Sequence, residues 1–375
     1  RSVEPNRRRS LRNWQPGDQP WELKDSAMGR PRLRDLASND YLGLARHTAV
    51  IKAAAIALDA DGVGAGGSRL VTGTRPRHTR LEAELGEWLG RDQVLLFPSG
   101  FQANLAAVAA LAERHTTVLA DRLIHYSLLV GVRASGARLQ RFAHNDLEDL
   151  ERRLQQLDRN NSAPVVISES LFSMEGTSPD LKAMAALCAR HGAQLLVDEA
   201  HGLGVVGPGG RGLCWGVDDP VHLISGTFGK AFGSGGAFLA GDAAMGERLL
   251  QTSGAFRYTT ALAPPLVAGA QAALDLIKAN PHWGQALIQR SEAWRTALAL
   301  AGWQRPRGIG PVLPLLLNSD QGALDYQQQL EQHGLLSIAI RPPTVPEGTS
   351  RLRLVLRKDL PDDTLELLLG ALAAG

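Results

Sequence analysis

No run of about 18 apolar residues occurs in the chain, so nothing in it reads as a membrane-spanning helix. Cysteine is nearly missing. The two present, Cys188 and Cys214, are too few for a disulfide framework and are not spaced for zinc, which points to a reducing, intracellular compartment. Neither sign of charge is in excess. Lys and Arg total 40 against 38 Asp and Glu, a formal net charge of +2, so no bulk field draws the chain to nucleic acid or an anionic membrane. The local cluster Arg7-Arg8-Arg9 reads as a solvated or substrate-facing arm. The first residues lack the apolar core of a secretory signal, so the expected location is the cytoplasm. The chain opens on Arg1 rather than Met, so a short leader is expected to precede it. No internal repeat or low-complexity tract is visible.

What the chain has in quantity is glycine, 40 residues, much of it at the ends of short apolar runs. The length of 375 residues suggests about two or three domains. Residues 1–45, with their arginines and Pro5, Pro16, Pro20 and Pro31, read as an N-terminal arm carrying a short helix near Arg7–Trp14. Gly62-Val63-Gly64-Ala65-Gly66-Gly67-Ser68-Arg69 has a superficial likeness to a dinucleotide fingerprint, but a helix over Ala49–Ala60 precedes it where a strand is needed. It reads instead as a loop that lets backbone approach a ligand or a partner subunit. Seven strand-like runs then alternate with helices: Val94–Phe97, Thr117–Ala120, Arg138–Phe142, Val165–Ser168, Gln194–Val197, Val221–Ile224 and Ala237–Ala240. They predict an α/β large domain over 46–260, a mostly parallel sheet with helices on both faces. Residues 261–375 predict a smaller C-terminal α+β domain, with strands at Val312–Leu317, Leu336–Ile340 and Ser350–Leu356. In the last of these, Arg351, Arg353 and Val355 alternate with Leu352, Leu354 and Leu356, the pattern of a half-buried strand.

The chemistry gathers around Ser225-Gly226-Thr227-Phe228-Gly229-Lys230, where an apolar run enters and a tight turn presents one lysine. Upstream, Gln194-Leu195-Leu196-Val197 ends in Asp198-Glu199-Ala200-His201-Gly202. Lysine, aspartate and histidine thus fall at strand ends, where open α/β sheets place ligand sites. The set meets the demands of pyridoxal phosphate: an amine for a Schiff base and a carboxylate that keeps the ring nitrogen protonated. His201 is placed to hydrogen-bond the ring's phenolic oxygen, and His125 to stack on the ring. Ser99-Gly100-Phe101 opens a helix whose free N–H groups suit a phosphate, with the Thr227 hydroxyl beside them. Arg353 suits bidentate capture of a carboxylate, and Arg341 is similar. Taken singly, each also has a plain structural reading: a solvated lysine, an aspartate or serine helix cap, a half-buried histidine, an arginine on a wet strand face.

Five segments carry a resemblance: Ser38-Asn39-Asp40-Tyr41-Leu42-Gly43-Leu44, Phe172-Ser173-Met174-Glu175-Gly176, Asp198-Glu199-Ala200-His201-Gly202, Thr227-Phe228-Gly229-Lys230 and Arg341-Pro342-Pro343-Thr344-Val345-Pro346. From about residue 10 to its end the chain resembles the α-oxoamine synthases, pyridoxal phosphate enzymes of the aspartate-aminotransferase fold (fold type I). The resemblance implies that Lys230 binds the cofactor aldehyde and moves the substrate α-proton. It implies that Asp198 pairs with the ring nitrogen, His201 with the phenolic oxygen, and His125 with ring and substrate. Gly100, Phe101, Ser173 and Thr227 would hold the cofactor. Arg353, Asn39, Thr344 and Arg12 would contact substrate, Arg353 through the amino-acid carboxylate. Members are homodimers with the site at the subunit interface, so Thr259 or Thr260 would reach the neighbour's phosphate. The Arg-Pro-Pro-Thr-Val-Pro loop points more narrowly to the biotin-pathway member, which implies L-alanine and a pimeloyl thioester of coenzyme A or of acyl-carrier protein as substrates. The competing readings are a sister enzyme joining glycine to an acetyl, succinyl or long-chain acyl thioester, an aminotransferase, and a non-catalytic scaffold. A phosphate-loop kinase is poorly supported, because Ala231 follows Lys230 where Ser or Thr is required.

Overall fold

The computed structural model describes residues 4–26, 32–157, 162–317 and 319–374, so the expected irregular chain around Pro31 lies outside the described residues. The chain divides into two units. The larger comprises Leu44–Phe172 and Ser178–Gly284; the smaller comprises Arg1–Gly43, Ser173–Thr177 and Gln285–Gly375.

The larger unit opens with α1 (Thr48–Asp61) and α2 (Pro76–Leu89), and then the expected alternation begins. In chain order it runs β1 (Gln93–Phe97), α3 (Gly100–Leu111), β2 (Thr117–Asp121), α4 (Tyr126–Ser135), β3 (Arg138–Phe142), α5 (Leu147–Gln155), β4 (Val165–Glu169), α6 (Leu181–Arg190), β5 (Gln194–Asp198), β6 (Leu223–Thr227) and β7 (Ala237–Gly241). The seven strands form one sheet in the order β1-β7-β6-β5-β4-β2-β3. β2, β3, β4, β5 and β6 pair in parallel, and β7 runs antiparallel between β1 and β6. Strand β4 is buried at every position, which is why it reads as a continuous apolar run rather than an alternation. Its core neighbours include Val108 and Leu111 of α3, Leu128 and Val132 of α4, and Phe97, which meets Phe256 edge-on at 5.5 Å. At the carboxyl edge of the sheet, β4, β5 and β6 end in Glu169, Asp198 and Thr227.

Two expectations change here, at strand β6 and at the domain boundary. Strand β6 runs two residues past Ser225, so Ser225-Gly226-Thr227 is strand, and the bend comes at Phe228–Lys230. Gly226 pairs across the sheet with Phe238, and a Cβ on it would lie 2.3 Å from the Phe238 ring; the glycine serves packing and not a turn. The glycine run at 62–69 closes onto its own unit: Ser68 bridges Thr260, and Gly67 accepts a bond from the Ala261 N–H at 2.9 Å. The expected boundary at 260 moves to Gly284, because α7 (Pro264–Ala279) packs along α1 and His78 Nε2 bonds the Leu262 carbonyl at 2.8 Å.

In the smaller unit the arm is joined to the C-terminal segment. One sheet has the order Trp14–Pro16, Glu22–Asp25, Leu33–Asp35, Leu335–Leu336; a second, antiparallel, has Val312–Leu316, Arg351–Val355, Ile338–Ile340. The expected helix over Arg7–Trp14 is a single 3₁₀ turn at Pro5–Arg7 followed by extended chain, since the arginines part to separate acids, Arg7 to Asp320 at 2.7 Å and Arg12 to Asp25 at 2.7 Å. The expected strand Leu336–Ile340 splits at Ser337, its halves pairing in different sheets. Ser173–Thr177 belongs here because Ile309 N–H donates to the Gly176 carbonyl at 3.1 Å, and a Cβ on Gly176 would lie 2.4 Å from the Val312 oxygen. Arg351–Val355 is not half-buried: all five residues are buried, Arg351 and Arg353 included.

Candidate active site

A cavity of about 200 Å³ opens at the carboxyl edge of the larger unit's sheet, and Asp198, His201, Thr227, Lys230 and His125 line it together with Gly100 and Phe101. Seven of the expected site residues are thus brought to one place. Lys230 is half-buried just beyond β6. Its loop folds back on the strand: Gly233 N–H donates to the Lys230 carbonyl at 2.9 Å, and Ser234 N–H to the Phe228 carbonyl at 2.8 Å. The fold-back needs glycine at 233, where φ is +61° and a Cβ would stand 2.2 Å from the Ala45 nitrogen.

Asp198 closes β5 and is 6% exposed. Its Oδ1 accepts the Ala200 N–H at 2.9 Å and its Oδ2 accepts from Asn104 Nδ2 at 2.8 Å. Both donors are neutral. Among the described residues its hydrogen-bond donors are these two neutral amides, an arrangement that suits a cationic ligand beside it. His201 is also buried, at 6% exposure.

Ser99 caps α3, its hydroxyl accepting from Gln102 N–H at 3.3 Å. The expected cap role is therefore real, and it leaves the first-turn N–H groups of Gly100 and Phe101 without intrahelical carbonyls. Gly100 faces Thr227, with only 3.8 Å between its hypothetical Cβ and the threonine hydroxyl. The Thr227 hydroxyl donates to the Gly236 carbonyl at 3.0 Å and accepts Gly229 N–H at 3.2 Å.

His125 sits at the N-cap of α4. Its backbone N–H donates to Glu169 Oε1 at 2.5 Å, and its Nδ1 lies 2.7 Å from Ser127 Oγ. Burial lowers its proton affinity, with Asp198 opposing and the Lys230 cation reinforcing that effect. Next to Asp198, Glu199 is fully buried, and burial pushes its carboxyl upward; burial and the neighbouring Glu199 likewise raise the Cys214 thiol.

The smaller unit brings three further expected residues together. Arg353 Nε donates to the Ser173 carbonyl at 2.7 Å and Nη2 to Asn39 Oδ1 at 2.9 Å. Tyr41, fully buried beside them, has its hydroxyl pushed up to about 12 by burial. Arg12 stands apart from this set: Asp25 at 2.7 Å and Glu331 at 2.6 Å fill its guanidinium. Thr344 is met by Arg9, Nη2 to Oγ1 at 3.0 Å. Thr259 and Thr260 line a separate cleft of the larger unit with Ser68 and Arg257.

Sequence reading missed Asn104, Ser127 and Glu169, which line the same cavity. Asn104 left one signal, a polar residue alone within the Ala103–Leu111 apolar helix. Ser127 and Glu169 left none beyond their nearness to His125 and to a strand end.

Lysine amine, buried aspartate and open helix N-terminus form the donor set that pyridoxal phosphate requires, and the residues present fit that cofactor. A family model for aminotransferase class I and II matches residues 32–372. An 8-amino-7-oxononanoate synthase from Chromohalobacter salexigens is 40% identical over 358 residues, covering 95% of this chain and 92% of the relative. Among solved structures, an SPT with its PLP internal aldimine superposes with a TM-score of 0.92 at 28% identity, covering 97% of this chain and 92% of that one. An 8-amino-7-oxononanoate synthase from Francisella tularensis superposes at 0.79 and 25% identity, covering 91% and 97%. The chain belongs to the class I and II aminotransferase family, in the branch whose curated members are named 8-amino-7-oxononanoate synthase.

Proposed function

We propose that this protein is a pyridoxal phosphate-dependent acyltransferase that condenses L-alanine with a pimeloyl thioester, of coenzyme A or of acyl-carrier protein, and releases carbon dioxide to give 8-amino-7-oxononanoate for biotin. The observation that carries the reading is the cavity in which Lys230 and an Asp198 held only by neutral donors lie together. When bound, pyridoxal phosphate supplies an aldehyde for amine capture and a cationic ring that takes up the electron pair left at the amino acid's α-carbon.

The chain's own groups do the rest. Lys230 Nζ would hold the cofactor aldehyde and, once alanine has taken its place, would accept the α-proton and later return one to the product. Asp198 would keep a proton on the ring nitrogen, His201 would donate to the phenolic oxygen, and His125 would meet the ring and the substrate. The N–H groups of Gly100 and Phe101, the Thr227 hydroxyl and Ser173 are assigned to the cofactor. Arg353, supported by Asn39, is assigned to the alanine carboxylate, with Thr344 and Arg12 as further substrate contacts. The working unit is a homodimer in the cytoplasm, with Thr259 or Thr260 serving the neighbour's phosphate. No described helix is long and apolar enough to cross a membrane.

The second reading is a sister enzyme that uses another acyl thioester, favoured by the closer superposition on SPT, 0.92 against 0.79. The test supplies the purified protein with L-alanine, glycine or serine, each with pimeloyl, acetyl, succinyl or palmitoyl thioester, and follows free thiol and carbon dioxide. Release strongest with L-alanine and pimeloyl thioester supports the proposal. Preference for any other pair overturns it in favour of the sister enzyme, and pyridoxamine phosphate accumulating with L-alanine alone overturns it in favour of transamination.

A further inference from the structure

Asp198, Asn104, Ser127 and His125 form an unbroken chain of hydrogen bonds along one wall of the cavity. We propose that Asn104 and Ser127 are positioning residues that lock His125 as the neutral imidazole with its proton on Nε2, and that tie this tautomer to the Asp198 carboxylate.

Asn104 is 3% exposed, and its Nδ2 lies 2.8 Å from Asp198 Oδ2 and 2.9 Å from Ser127 Oγ. An amide nitrogen has two protons and accepts nothing, so it donates to both. The opposite amide orientation would set a carbonyl oxygen against a carboxylate oxygen with no proton between them, so Asp198 selects the orientation. Asn104 Oδ1 finds no partner, the cost of that selection. Ser127 is fully buried; its oxygen accepts from Asn104, which leaves its hydroxyl proton available to His125 Nδ1, 2.7 Å away. The Ser127 backbone N–H points at the same Nδ1 from 3.3 Å. A nitrogen that receives two donors carries no proton, which leaves the ring proton on Nε2. An imidazolium would set a third N–H against those two donors.

The charged groups around the ring are Asp198 on β5, Lys230 beyond β6 and Glu169 at the end of β4, the last already engaged by the His125 backbone. Burial and Lys230 favour the neutral ring; Asp198 opposes them. The tautomer is a property of the protein before any ligand binds. Only its use rests on the proposed function: His125 meets a bound amino acid or acyl oxygen with an N–H donor, and takes up no proton on Nδ1 without breaking the chain of bonds.

Histidine-selective ¹⁵N NMR on the full chain, before and after loading with pyridoxal phosphate, tests this, with His125→Gln assigning the signal among ten histidines. The expected wild-type spectrum at pH 8 shows an unprotonated Nδ1 and a protonated Nε2. In Ser127→Ala the His125 midpoint moves up and the signal of a mixed tautomer appears; Ser127→Thr, which keeps the hydroxyl, restores the wild-type spectrum. Asn104→Ala shifts the midpoint in the same direction by a smaller amount. A wild-type Nδ1 that carries the proton overturns the inference without any variant. So does an unchanged midpoint in folded Ser127→Ala and Asn104→Ala. A protein with this tautomer that fails to bind pyridoxal phosphate overturns the proposed function and leaves this inference standing.

Discussion

Asp198 in the larger unit and Arg357 in the smaller are both charges taken out of water, at 6% and 4% exposure, yet they are treated in opposite ways. Arg357 is saturated with acids: Asp359 at 2.8 Å, Asp35 at 3.1 Å and Asp40 at 3.4 Å, with the Pro20 carbonyl at 3.1 Å. These acids hold its proton more tightly than usual, against the pull of burial. Asp198 has two neutral amides and a cavity in front of it. The first arrangement closes a structural account inside the protein. The second leaves room beside the carboxylate for a cationic ligand. Burial alone therefore does not mark the functional charge; burial with an unfilled partner position and room for a ligand does.

The largest break of this contrast is Lys230→Ala. Turnover is expected to fall by on the order of 10⁴ or more, because one group carries both cofactor capture and proton transfer. The melting temperature should stay near wild type, since the side chain is only half-buried. Substantial residual turnover in steady-state assays would remove Lys230 from the chemistry. Asp198→Asn comes next. It keeps the shape and removes the charge, so turnover should drop by roughly 10²–10³ while stability is unchanged or higher. Turnover near wild type would mean the carboxylate is not working on the cofactor ring.

Arg357→Met should do the reverse. It strands Asp35 and Asp359 without their cation and should cost about 3–5 kcal/mol in denaturant unfolding. Pyridoxal phosphate bound per folded molecule should be unaffected. A variant as stable as wild type would refute the structural role given to this cluster.

The smallest effect is on pH dependence. Burial lowers the proton affinity of His78, His125 and His222 below the ordinary 6.5. The unfolded chain then binds more protons than the folded one, so stability is full above about pH 6.5 and is lost as pH falls toward the depressed folded values. Melting temperature should decline from pH 7.5 to pH 5.5, and a flat or rising profile would contradict the sign.

The same contrast explains what was legible in the sequence. The seven strands and the cluster at their ends were readable because buried parallel strands show as apolar runs and the site residues follow them directly. Arg353 was read as half-buried because the groups that satisfy it, the Ser173 carbonyl and Asn39, are remote in sequence. Ser225-Gly226-Thr227 read as a turn because the pairing of Gly226 with Phe238 is a tertiary fact that composition does not reveal. Ser337 divides a strand between two sheets for the same reason. The partners of Arg12, Asp25 and Glu331, lie 13 and 319 residues away and could not be read from the arm alone. Asn104 was passed over because its meaning depends on Asp198 and Ser127, which reach it from other elements.

Reduction of the pyridoxal phosphate-loaded protein with borohydride, followed by peptide mass mapping, asks the central question directly: which side chain holds the cofactor. The reduced cofactor mass is expected on the peptide that contains Lys230, and on that lysine alone. A mass found on a different lysine, or on none after loading, would contradict it.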